Sequence, residues 1–224
     1  MTDILAICRN VGRKFSSGNE PLSVLQDINC EIHTSDRIAL AGPSGSGKTT
    51  LLHILGGLDR PTNGEIEWPS FGTIEQLRPR RVGFVFQSPS LFPALTAAQN
   101  VDLPAILAGV KVAPSHSRDL LSCFGLGELA DKLPEELSGG QAQRVAMVRA
   151  LALRPKLVLA DEPTGQLDGT TAQSFMNMVL EYVERMGAAL VVATHDEAIA
   201  TRLAKRWTLG HGRLICDGMR VART

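Results

Sequence analysis

The run Gly42-Pro-Ser-Gly-Ser-Gly47-Lys48-Thr49 constrains this chain more than any other feature. An apolar stretch, 38–41, leads into it, and an apolar-periodic stretch, 49–55, leads out. Glycines let backbone N–H groups turn inward where a Cβ would obstruct them, so a loop of this kind can wrap an anion. The helix that follows presents its positive end to the same point. Strand, glycine loop, lysine, hydroxyl and helix in that order form the P-loop pattern, which predicts an α/β core with a phosphate site at one sheet edge. In that reading Gly42, Ser44, Gly45, Ser46, Gly47 and Thr50 surround the phosphates and Lys48 neutralises their outer charge. The Thr49 hydroxyl then ligates Mg²⁺. A glycine-rich turn with no ligand is the plain alternative.

The rest of the chain fits such a core. Four short apolar runs, 37–41, 82–86, 157–160 and 189–194, are bounded by Gly, Pro or charge and are too short for buried helices, so they read as buried parallel strands. Helical patterns cover 48–57, 141–153, 170–186 and 196–204. Strands alternating with helices predict a mostly parallel sheet. Residues 3–34 alternate in short pieces and predict an antiparallel β edge sub-domain. Between 88 and 134, helical runs at 97–108 and 117–124 lie among prolines and predict an inserted α-helical sub-domain. A length of 224 residues suits one domain carrying such an insert, so residues 1–224 are expected to form a single domain.

Two further segments carry chemistry. Leu157-Val-Leu-Ala-Asp161-Glu162 is an apolar strand ending in two acids, where an open α/β sheet binds its ligand. Neighbouring residues on a strand point opposite ways, which divides the work. Asp161 is expected to hold Mg²⁺, and Glu162 to orient or deprotonate an attacking water. Asp-Glu-Pro could also simply end a strand. Ser138-Gly139-Gly140-Gln141 opens the predicted helix at 141, and Ser138 with Gln141 fits a capping box. Two glycines are poor helix starters yet suit a backbone approached closely by a ligand. One domain can hardly close this helix tip and the Lys48 loop on the same triphosphate. Two copies set head to tail could.

LSGGQ at 137–141 resembles the signature of ABC (ATP-binding cassette) ATPases, and other motifs of that family stand in the expected order. The resemblance, which runs from Ile4 to Gly212, implies a P-loop NTPase core, ATP and Mg²⁺ as ligands, and an ATP-dependent homodimer. It assigns Gln87 to the Q-loop, sensing Mg²⁺ and the attacking water, and Asp168 to the D-loop, communicating across the dimer. It assigns His195 to the switch that contacts the γ-phosphate. Thr194-His195-Asp196-Glu197 is also a passable capping box, so His195 alone stays ambiguous. Phe15 matches the aromatic that stacks on adenine, although it could equally be a core residue of the amino-terminal sheet.

Segments such as Leu55-Gly-Gly-Leu-Asp59-Arg-Pro-Thr-Asn-Gly64 and Leu159-Ala-Asp-Glu-Pro-Thr-Gly165 are similar to the lipoprotein-releasing and macrolide-export class. That resemblance implies an ATPase held on the inner face of the cell membrane by a transmembrane permease and driving export or extraction. A cell-division ABC ATPase that regulates a periplasmic partner without moving cargo is the second reading. Gln166 departs from the asparagine usual in the class, as Ala142 does from a common glutamine. The segment 65–81 is also shorter than usual.

Composition excludes other classes. With 23 basic and 23 acidic residues the chain lacks the basic surplus of a nucleic-acid binder, so no nucleic-acid partner is expected. The cluster Arg78-Pro79-Arg80-Arg81 reads as a solvated turn. Four scattered cysteines form no CxxC pair, which argues against a zinc site or a disulfide framework and suits a reducing compartment. The amino terminus has neither a basic region nor a long apolar one, and no apolar run approaches the roughly 20 residues needed to cross a bilayer. Direct membrane insertion is not expected, and no regulatory domain is expected after Gly212.

Overall fold

The computed structural model describes residues 3–17 and 20–216. Two sheets build it. Strands β1 (Ile4–Ser17), β2 (Glu20–His33) and β4 (Asn63–Glu67) form a small antiparallel sheet in the order β2-β1-β4. The main sheet has six strands in the order β5-β6-β7-β3-β8-β9: β3 (Arg37–Ala41), β5 (Val82–Val85), β6 (Leu157–Asp161), β7 (Ala189–Ala193), β8 (Lys205–Gly210) and β9 (Arg213–Cys216). The first five run parallel and β9 folds back antiparallel along β8.

The four predicted apolar runs are β3, β5, β6 and β7, and they read as apolar because both faces of this part of the sheet are covered. Alternate side chains go to opposite layers. Ala39, Val158, Ala160, Leu190 and Val192 join one core with the helices α2 (Ala97–Leu107), α3 (His116–Cys123), α4 (Gly139–Leu151) and α5 (Gly169–Met186). Ile38, Leu40, Leu157, Leu159, Val191 and Ala193 join the other, against α1 (Lys48–Leu55) and the antiparallel sheet.

Several elements depart from the sequence reading. The amino-terminal pieces are two 14-residue strands kinked by register shifts, which is why the apolar alternation breaks into fragments. Helix α4 begins at the glycines, two residues earlier than read: Gln141 N donates to Ser138 Oγ at 3.2 Å and Ser138 N to Gln141 Oε1 at 2.9 Å, so the capping box offsets their poor propensity. Residues 196–204 hold only a short helix α6 (Glu197–Ala200) and then turn into β8. Arg78 is no free surface charge: it donates to the Gly56 and Gly57 carbonyls beyond the end of α1, and Trp68 Nε1 donates to Leu55 O at 2.9 Å. Among the described residues no helix is long and apolar enough to cross a membrane.

Candidate active site

Strands β3, β6 and β7 lie side by side, and their carboxyl ends deliver the phosphate loop, the acid pair and His195 to one edge. The loop leaves β3 at Gly42, whose φ of 152° and packing require glycine, since a Cβ there would overlap the Leu209 carbonyl. Gly47, at φ 102°, caps α1. Lys48 Nζ donates to the carbonyls of Gly42 at 2.9 Å and Pro43 at 3.1 Å, arching back over its own loop. Ser46 Oγ is buried beneath with no hydrogen-bond partner, an orphaned donor that a bound anion would satisfy.

Across β7, Thr49 Oγ1 donates to Asp161 Oδ2 at 2.6 Å. Asp161 is 3% exposed. Burial, and then the neighbouring Glu162 charge, hold its carboxyl above the ordinary carboxylate range, although the Thr49 hydrogen bond, His53 and Lys48 offset part of the rise. A hydroxyl and a buried carboxylate are hard oxygen donors that fit magnesium shared with phosphates. No cluster of three His, Cys, Asp or Glu suited to a metal occurs among the described residues.

Glu162 does not continue the strand. Its φ of 47° is left-handed, so the acids part at a backbone kink rather than by strand alternation. The kink directs Glu162 Oε1 to His195 Nδ1, 3.0 Å away. An ionised carboxylate only accepts, so Nδ1 donates in this contact and Nε2 is left on the other side of the ring. His195 is not part of a capping box. Asp196 caps α6 instead by accepting from Ala198 N at 2.8 Å, and Thr194 Oγ1 accepts from Asp196 N at 3.0 Å.

One open cleft of about 690 Å³ is lined by Ser44, Gly45, Gly47, Lys48, Thr49, Thr50, Gln87, Asp161, Glu162 and His195. Ser138, Gly139, Gly140, Gln141 and Asp168 line a separate hollow of about 420 Å³. Phe15 lies in neither. It is on β1, 38% exposed, with the Arg13 guanidinium 4.3 Å from its ring centre. Arg13 is itself held by Asp59 at 2.8 Å. Asp168 caps α5, and its hydrogen bond from Thr171 holds its carboxyl below the usual range.

Residues 25–165 match the family model of the ABC transporter. This chain belongs to that family. It is 42% identical over 223 residues to the lipoprotein-releasing system ATP-binding protein LolD of Legionella pneumophila (strain Paris), spanning 96% of this chain and 98% of that one. LolD of Rickettsia bellii (strain RML369-C) is 39% identical over 218 residues, spanning 96% and 99%. The dimeric post-hydrolysis structure of the ATP-binding cassette MJ0796 bound to ADP and Pi is 35% identical, with a TM-score of 0.88 over 94% of this chain and 96% of that one.

The sequence reading of this ABC ATPase missed Gln143. It is 1% exposed on α4, lines the main cleft, donates from Nε2 to Glu162 O at 2.7 Å and accepts at Oε1 from Gln166 N at 2.9 Å. A signal was available. Gln143 falls on the stripe of Met147 and Leu151, which are buried at i+4 and i+8, so it is a polar residue on an apolar face.

Proposed function

We propose that this chain is the ATP-binding and ATP-hydrolysing subunit of a lipoprotein-releasing ABC system. It works as a homodimer on the cytoplasmic face of the membrane, held there by permease subunits. The full-length match to LolD proteins supports this over the cell-division reading. Residues 1–224 then act as one cassette, with 88–134 as its helical sub-domain.

The carrying observation is the division of the site. The Lys48 loop, Thr49, Asp161, Glu162 and His195 share one cleft, while the Ser138–Gln141 tip faces another hollow of the same chain. A triphosphate on Lys48 therefore needs a second copy to supply the helix tip. In this reading Gly42, Ser44, Gly45, Ser46, Gly47 and Thr50 surround the phosphates, Lys48 leaves its loop carbonyls for them, and Phe15 stacks on adenine. Ser138, Gly139, Gly140 and Gln141 of the other copy close the far side through backbone N–H groups and the α4 N-terminus. Asp168 sits at the seam.

Thr49, Asp161 and Gln87 would hold magnesium, which when bound spreads the charge of the outer phosphates. Glu162 orients the attacking water and takes its proton, and His195 holds the carboxylate and offers Nε2 on the phosphate side. Closure excludes bulk water, so these fixed groups act in a medium of low dielectric. Replacing Glu162 by Gln should leave Mg-ATP binding intact, lower turnover by about 100-fold or more, and accumulate an ATP-bound dimer on size exclusion. Turnover at the wild-type rate in that variant would remove Glu162 from the mechanism.

A further inference from the structure

We infer that Gln143 is a positioning residue for hydrolysis: its amide fixes the backbone that carries Glu162 and couples it to the helix whose tip meets the other copy. The inference rests on the role proposed above for Glu162.

Glu162 needs such a brace. A left-handed φ of 47° is disfavoured for a side chain of this kind, and the following residue is Pro163, whose ring pushes its predecessor toward extended backbone. Three hydrogen bonds hold the conformation. Glu162 N donates to Ala193 O at 2.9 Å, Gly165 N donates to Glu162 O at 3.1 Å, and Gln143 Nε2 donates to the same oxygen at 2.7 Å. Gln143 alone among these donors lies outside the strand ends and the turn itself.

Its amide is oriented without ambiguity. Glu162 O can only accept and Gln166 N can only donate, so Nε2 must face the first and Oε1 the second. The side chain thus stands in for a peptide unit, closing two backbone groups of the 162–166 turn that no strand reaches. Burying an amide is unfavourable unless both ends are satisfied, and here both are. Gln143 lies two residues after Gln141, whose side chain completes the cap at the tip of α4. Any tilt of that tip against the other copy is transmitted through one buried side chain to the carbonyl of the residue that handles the water.

The test uses the full chain with Mg-ATP. Gln143→Met keeps the length and buries no polar group. Gln143→Glu keeps an acceptor for Gln166 N but loses the donor to Glu162 O. Both variants should melt cooperatively and bind a fluorescent ATP analogue within about twofold of wild type, while single-turnover hydrolysis slows by about 10- to 100-fold. Their ATP-bound dimers should persist longer in the same proportion on size exclusion, a result that a loosened fold would not give. Wild-type hydrolysis in either variant, a loss confined to ATP affinity, or unfolding of both would overturn the inference. Glu162→Gln run alongside separates the two readings. An inactive Glu162→Gln beside a fully active Gln143→Met sinks only the brace, whereas an active Glu162→Gln sinks the underlying role.

Discussion

Asp161 shows what burial does to a carboxyl group. Because burial raises its carboxyl above the ordinary value, the folded chain binds that proton more tightly than the unfolded chain does. This contribution is present at low pH and is lost as pH rises from the ordinary carboxylate range through the raised value. Replacing Asp161 by Asn removes the penalty and leaves Thr49 an acceptor. The ligand-free protein should therefore melt higher at pH 7, by about 2–4 °C per kcal/mol recovered. The same variant should lose the extra thermal protection that Mg²⁺ adds to ATP, read as the difference between melts with ATP and with Mg-ATP. A lower melting temperature in the ligand-free variant would show that Asp161 stabilises the fold by itself. Lys48, Thr49 and Asp161 were legible because motif spacing and a strand end fix where such residues must lie. The kink at Glu162 was not, since nothing in Asp-Glu-Pro distinguishes a strand continued from one broken.

Among the elements, β5 and α4 approach so closely that Gly83 has no room for a side chain: a Cβ would overlap the Ala150 carbonyl in the last full turn of α4. Gly83→Ala must push helix or strand away, with an expected loss of about 1–3 kcal/mol on denaturant unfolding. Because α4 carries the Ser138–Gln141 tip, the variant should also weaken ATP-dependent dimerisation. An unchanged unfolding midpoint would mean the two elements are not locked together. Elements buried on both faces were legible as continuous apolar runs. Three strands were not. β4, Asn-Gly-Glu-Ile-Glu, is largely exposed and has a single partner strand, so it shows no apolar period. β8 begins with Lys205 and Arg206 and buries only Trp207 and Leu209, and β9 alternates exposed with half-buried residues. Each is specified by the sheet it joins rather than by its own composition.

At the scale of the whole molecule, the two hollows make pairing between copies the condition for chemistry. Ser138→Arg places a bulky charge at the tip proposed above to meet phosphate. In the Glu162→Gln background it should abolish the ATP-bound dimer while each copy still binds nucleotide through the Lys48 loop. A dimer that survives the substitution would remove the helix tip from the interface. The strand ends at the main cleft carry a last consequence. Pairing of Leu40 with Ala193 and of Ala160 with Val192 leaves β3, β7 and β6 finishing almost level. One residue inserted in β7 would advance its end by about 3.3 Å, more than a hydrogen bond can stretch. The spacing of the groups at the cleft is thus tied to the register of β7, a strand whose Val191 and Val192 are wholly buried.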